Sequence, residues 1–431
     1  MATSALVSLI SKKIIKPSIQ TPLPLRSHKL SFLDQVFDMS IPFAFFYPKT
    51  GSEPSHVSQR LENSLSKTLS YYYPYAGKTK DDCIVDCNDV GVEVSNVRVH
   101  CPMSEILKHP YVNVENVAFP QQLPWNHPNK GNLAVAQVSY FDCGGIAVGG
   151  CLSHKIGDAC TISNFFYNWG ILSRDISVTS SPHFVGESIY PQSNDPCVVS
   201  TIKPEEPIGY VGKRFVFPAD KVNAFKSKFS FESGVENLTP TEIVSSVIYR
   251  CAVAARTMNI GSFKPSSLFQ VSYMRERHNP PLSQDASGNI VSGFFVETTN
   301  EKDVNCPRLV RQLRNEKEKL DQDKARAIEN AFISEVVDSI KKGKKSPFNN
   351  DMLDYYFCLS LNAFPLYKTD FGWGKPARVS LATGPFNRWF HLMDNQIEGG
   401  MEAIVMLGEL DMSVFETNPE LLEFATPLPN H

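Results

Sequence analysis

The chain of 431 residues predicts an α/β fold divided into two domains of similar size. Three observations lead there. The length exceeds what one hydrophobic core usually serves, so two domains of about 200 residues are expected. Strand-like alternation and helix-like periodicity succeed one another in both halves. Between residues 180 and 207 lies a stretch poor in large apolar residues and punctuated by Pro182, Pro191, Pro196, Pro204 and Pro207, which reads as a linker. The expected division is an N-terminal domain over residues 1–185, a crossover over 186–210 and a C-terminal domain over 211–431.

Composition excludes several classes of function. Hydrophobic residues make up 42%, aromatic residues 11%, and the formal charge is −3, which argues against nucleic acid or an anionic membrane surface as partner. The ten Cys include no C-x-x-C pair, the closest being Cys83 and Cys87. They read as reduced cytosolic thiols rather than a disulfide framework or a zinc site, and no metal is expected. The apolar run at residues 5–10 is followed, not preceded, by Lys12, Lys13 and Lys16, the wrong order for a signal peptide. No run approaches membrane-spanning length. A cytoplasmic, monomeric protein is expected.

Residues 6–30 are Pro-punctuated and extended, and residues 41–47 read as a buried strand. Residues 58–72 read as a helix with Leu61, Leu65, Leu69 and Tyr72 inward, broken by Tyr73-Pro74-Tyr75-Ala76-Gly77. Residues 110–131 carry four prolines and no period, so they form a loop that could line an opening. Leu133 to Ser139 alternates, Asp142-Cys143-Gly144-Gly145 turns, and residues 146–152 resume as an apolar run, which is a β-hairpin. Ile162, Phe165, Phe166, Trp169 and Leu172 then fall on one helical stripe.

In the second half, residues 213–216 read as a strand and a short helix follows Pro218. Thr239-Pro240-Thr241-Glu242 has the form of a helix start: a Thr cap, Pro at the first position and Glu three residues on. Residues 269–274 and 289–296 read as strands and 307–342 as helix, with Lys341, Lys342, Lys344 and Lys345 as a solvated basic end.

The chemistry concentrates in Cys151-Leu152-Ser153-His154-Lys155-Ile156-Gly157-Asp158-Ala159, where a strand ends and a helix begins. His154 stands at this junction among small residues (Gly149, Gly150, Ser153, Gly157, Ala159), which would let a ligand approach the backbone closely. Asp158 is placed to cap the helix at the positive end of its dipole. Taken alone, His-x-x-x-Asp is equally a strand-end histidine beside an ordinary cap. The second informative block is Thr369-Asp370-Phe371-Gly372-Trp373-Gly374-Lys375-Pro376, a tight irregular turn in which Asp370 calls for a cationic partner.

Both blocks in this order, in a chain of this length, resemble the BAHD family of plant acyl-CoA-dependent acyltransferases. Similar blocks run nearly end to end: Leu30-Ser31-x-x-Asp34-Gln35, Tyr73-Pro74-Tyr75-Ala76-Gly77, Asp142-Cys143-Gly144-Gly145, Arg275-x-Arg277-x-x-Pro280-Pro281-Leu282 and Gly288-Asn289. The resemblance implies two mixed-sheet α/β domains like those of chloramphenicol acetyltransferase, with a channel at their interface. It makes acyl-CoA a co-substrate with no bound cofactor, and a small-molecule acceptor the other partner. By the same resemblance His154 is the general base and Asp158 pairs with Arg275, pointing away from substrate. Asp370, Gly372, Trp373 and Gly374 are then structural and lie away from His154.

The physical requirements agree with that assignment. A hydroxyl is a poor nucleophile until it loses its proton, and a neutral imidazole can take it, an effect worth ~10²–10⁴ in rate. The tetrahedral oxyanion that follows needs donors. Many relatives carry Thr-Ser-Trp where this chain has Leu359-Ser360-Leu361, so Ser360 or backbone amides must serve. Keeping His154, Asp158, Arg275 and Asp370 together favours an enzyme over a non-catalytic binding protein of the same fold. The opening residues, Phe45-Phe46-Tyr47-Pro48-Lys49 and Ser70-Tyr71-Tyr72-Tyr73-Pro74-Tyr75 resemble the branch holding acylsugar acyltransferases and capsaicin-synthase-like enzymes. The expected reaction is transfer of a short or branched acyl group to sucrose or an acylated sucrose. Tyr71, Tyr73, Trp125, Asn126, His127 and Asn132 are available for a polar, aromatic-lined acceptor pocket, and an alkaloid alcohol or amine is the alternative acceptor.

Overall fold

A computed structural model describes residues 6–427 apart from 50, 52, 110, 121–131, 179–180, 193–208, 323–351, 363, 383–385 and 396–399. Trp125, Asn126, His127 and the basic end at 341–345 lie outside the described residues. The chain forms two compact units. The first comprises Met1–Pro204, Ser283–Ile290 and Phe364–Ala382, and the second Glu205–Leu282, Val291–Ala363 and Thr383–His431. Two stretches of the C-terminal half, 283–290 and 364–382, thus belong to the first unit. This departs from the division expected of the sequence, and the Asp370 block moves with it.

The first unit is built on a six-stranded mixed sheet in the order Val7–Ile15, Val92–Val99, Ala134–Phe141, Ile146–Ser153, Ser40–Tyr47, Arg378–Leu381. Val92–Val99 and Ala134–Phe141 run parallel and their neighbours antiparallel. The hairpin Ala134–Phe141/Ile146–Ser153 is buried on both faces along its whole length. Helices Pro54–Tyr71 and Ala159–Ser173 pack together. There the Trp169 indole donates from Nε1 to Leu61 O at 3.2 Å and Ser64 Oγ at 3.0 Å, so a large aromatic is buried with its polar atom satisfied.

The second unit carries a seven-stranded sheet ordered Val291–Thr298, Ser266–Tyr273, Asp354–Ser360, Trp389–Asn395, Gly400–Gly408, Tyr210–Phe217, Thr426–Pro427. One sheet face, with Leu268, Tyr356, Cys358, Phe390, Leu392, Ala403 and Val405, packs against Ile243, Val244, Val247, Ile248 and Cys251 of helix Pro240–Ile260. That helix starts with the capping box expected, Thr239 and Glu242 each accepting from the other's backbone amide. The helix after Pro218 is longer than expected, Ala219–Ser233, because Val222, Phe225 and Phe229 bury at helical spacing until Gly234, at φ 70°, ends it. The strand expected from residue 289 begins only at Val291. Residues 288–290 are engaged elsewhere, at the histidine motif.

Candidate active site

Strand Ile146–Ser153 delivers the chain to His154. The His154 amide donates to Met39 O at 2.8 Å, and its ring stacks on Phe37 with centroids 4.4 Å apart and planes 21° from parallel. One residue on, buried Lys155 pairs with Asp38 at 3.4 Å. The segment 37–39 therefore grips both residues. Three of the nearby glycines make room for the protein's own packing. A Cβ at Gly157 would meet Thr161 Cγ2 at 2.5 Å, at Gly149 it would meet Ala118 O at 2.0 Å, and at Gly150 Phe166 Cζ at 2.9 Å.

Asp158 caps helix Ala159–Ser173, its Oδ1 accepting from Thr161 N at 3.0 Å. Its Oδ2 accepts from Ile290 N at 3.1 Å. Thr161 Oγ1 both donates to Gly288 O and accepts from Gly288 N, each at 3.2 Å. Gly288 and Ile290 are thus fastened to the helix start, and Asn289 between them is turned to the histidine. The Asn289 amide donates from Nδ2 to His154 O at 2.6 Å and to Asp34 Oδ1 at 2.7 Å. With both amide hydrogens used, Oδ1 can only accept. Asn289 Oδ1 and His154 Nδ1 are both buried, and neither has a hydrogen-bond partner among the described residues. The Asn289 side chain raises the ring's affinity for a proton. A neutral imidazole that carries its proton on Nδ1 presents a bare Nε2 to a reactant.

Burial lowers the His154 pKa below the ordinary imidazole value, against the Asp158 charge, the residue's own backbone and Asn289, which pull the other way. The ring is therefore neutral at neutral pH. Sequence reasoning quoted Asp34 and Asn289 only within family blocks and gave them no role. Ser31-x-x-Asp34 is legible as a capping box, whereas nothing local announces that Asn289 reaches a residue 135 positions away.

The remaining sequence candidates are spread out. Asp370 Oδ1 accepts the amides of Gly372, Trp373 and Gly374 at 2.7, 3.0 and 2.9 Å, and its Oδ2 lies 3.6 Å from Arg174, the cation that the turn required. This block meets the last turns of helix Ala159–Ser173, whose first turn is at Asp158. Fifteen residues of helix span roughly 20 Å, so the block lies about that far along the helix from the turn that carries His154. In the second unit, Ser360 ends its strand with Oγ 3.4 Å from Thr241 Oγ1, and Leu361 and Arg275 are each 2% exposed. Tyr71 ends helix Pro54–Tyr71. Among the described residues no helix is long and apolar enough to cross a membrane.

The family model described as "Transferase family" matches residues 5–422. The chain is 45% identical to Acyltransferase Pun1 of Capsicum frutescens, with 98% of each chain covered. This chain is a BAHD acyltransferase. Another relative, Acylsugar acyltransferase 3 of Solanum lycopersicum, is 38% identical over 98% of each chain. The crystal structure of vinorine synthase is similar at 28% identity and a TM-score of 0.84, covering 98% of this chain and 99% of that one. Like other BAHD acyltransferases, the enzyme takes an acyl-CoA thioester as co-substrate and moves its acyl group to a small-molecule acceptor, and the fold is the two-unit mixed α/β architecture described above.

Proposed function

We propose that the enzyme transfers a short or branched acyl group from CoA to a hydroxyl of sucrose or of a partly acylated sucrose, with His154 as general base. The observation that carries the role of His154 is its setting: a buried imidazole that burial keeps neutral, on a residue whose carbonyl oxygen is held by the Asn289 amide at 2.6 Å. In the proposed reaction Nε2 takes the acceptor hydroxyl proton as the oxygen attacks the thioester carbonyl. The tetrahedral oxyanion collapses, the carbon–sulfur bond breaks, and the imidazolium returns the proton to the CoA thiolate. The oxyanion needs donors, a part assigned to the Ser360 hydroxyl or to backbone amides. The buried Asp158 carboxylate holds the turn, and a pairing with Arg275 belongs to the same proposal. A cytoplasmic monomer is likewise proposed.

The sugar acceptor is supported by the 38% identity to the tomato acylsugar acyltransferase over the whole chain. The test is incubation with a panel of acyl-CoAs against sucrose, acylsucroses, an alkaloid alcohol and an amine, with mass detection of products. Acylated sucrose is the expected product. Turnover confined to the alkaloid or amine acceptors would overturn the sugar assignment.

A further inference from the structure

We infer that Asp34 is a positioning residue for His154, acting through Asn289: a buried carboxylate orients and polarises the amide that in turn orients the catalytic ring. The inference rests on His154 being the general base. Its geometry is an unbroken chain within one unit. Asp34 Oδ2 accepts from Ser31 N at 2.7 Å, and its Oδ1 accepts from Asn289 Nδ2 at 2.7 Å and from Asn289 N at 3.4 Å. The other hydrogen on Nδ2 goes to His154 O at 2.6 Å. Negative charge at the nitrogen end of an amide pushes electron density to its oxygen, and the Asn289 side chain is among the groups that raise the proton affinity of the His154 ring. The arrangement does what a carboxylate in direct contact with a histidine does: it fixes the tautomer and supports the imidazolium that forms during proton transfer.

Asp34 is buried beyond what a helix cap requires, since a cap on a five-residue helix is usually solvated. Burial raises its carboxyl to about 6 against the bonds from Ser31 and Asn289, so the anion is held by these donors alone. The other charged groups around the chain are few. Asp158 raises the proton affinity of His154, and Lys155 is paired with Asp38. The buried Tyr75 hydroxyl has no hydrogen-bond partner and feels both Asp158 and Asp34. None of them substitutes for Asp34 at the Asn289 amide.

The experiment compares wild type, Asp34→Asn and Ser31→Ala. An Asn at 34 turns a donor toward either Ser31 or Asn289. Selective ¹⁵N labelling of histidine reads the tautomer and titration midpoint of His154 without any need for turnover, so this arm stands even if acyl transfer fails. The expected result for Asp34→Asn is a lower titration midpoint, a weaker Nδ1–H preference and a kcat reduced by about tenfold, part of the ~10²–10⁴ of a positioned base, with KM for acyl-CoA unchanged. Ser31→Ala, which removes the cap hydroxyl and keeps the carboxylate, should cost stability and leave the midpoint in place. An unmoved midpoint in Asp34→Asn, or an equal shift in Ser31→Ala, would overturn the inference.

Discussion

Asp158 shows how one carboxylate serves two connections, since Oδ1 holds the helix start at Thr161 and Oδ2 holds the amide of Ile290. An Asn at this position can accept only one of those amides and turns a donor on the other. Asp158→Asn should therefore lower the unfolding free energy by about 1–3 kcal/mol, measured by urea denaturation, together with activity. A variant as stable as wild type but inactive would shift the carboxylate's role from scaffold to chemistry. The lowered pKa of His154 makes a second prediction. Its neutral form persists to lower pH than free imidazole, so the acid limb of the kcat profile should have its midpoint below about 6.5. A midpoint above that value would mean that burial does not govern the ring.

Helix Ala159–Ser173 joins the two motifs, with the histidine turn at its start and the Asp370 turn against its end. Gly170 is what permits the second contact: a Cβ there would lie 2.9 Å from Asp370 O and 3.1 Å from Asp370 N. Gly170→Ala should push the Asp370 turn away at a cost of about 1–3 kcal/mol, visible as a lower thermal midpoint, while KM for the acceptor stays put because the perturbation is remote from His154. The stripe of Phe165, Phe166, Trp169 and Leu172, the Asp158 cap and the Thr239 capping box were all legible in the sequence, because periodicity and caps are set by neighbours a few residues away. The role of the glycines was not. Their need is fixed by Ala118, Phe166, Thr161 and Asp370, contacts that only the folded chain brings together.

At the scale of the whole molecule, sequence order and spatial order part company. The Pro-rich stretch announced a division near its place, yet nothing in residues 283–290 or 364–382 marks them as pieces of the first unit. Strand pairing such as Arg378–Leu381 on Ser40–Tyr47 has no local signature. Buried titratable groups give a global prediction. Burial lowers His28 and His391 to about 4 and lowers His154 as well. All three stay neutral in the folded state where the unfolded chain would take up protons, so their contribution is present above about pH 6.5 and is lost as pH falls toward 4. Asp34, raised to about 6, works in the opposite sense over the same range, but alone against three. The thermal midpoint should decline as pH drops from 6.5 to 4, and a flat profile would contradict the assigned burial. The central claim, that His154 is the base of an acyl transfer from CoA, is tested most directly by following ester formation from acyl-CoA with wild type and His154→Ala, each shown folded by its unfolding transition. The account predicts a folded variant without measurable transfer; a folded His154→Ala enzyme keeping about a tenth of wild-type activity or more, far above the ~10²–10⁴ loss expected for a missing base, would contradict it.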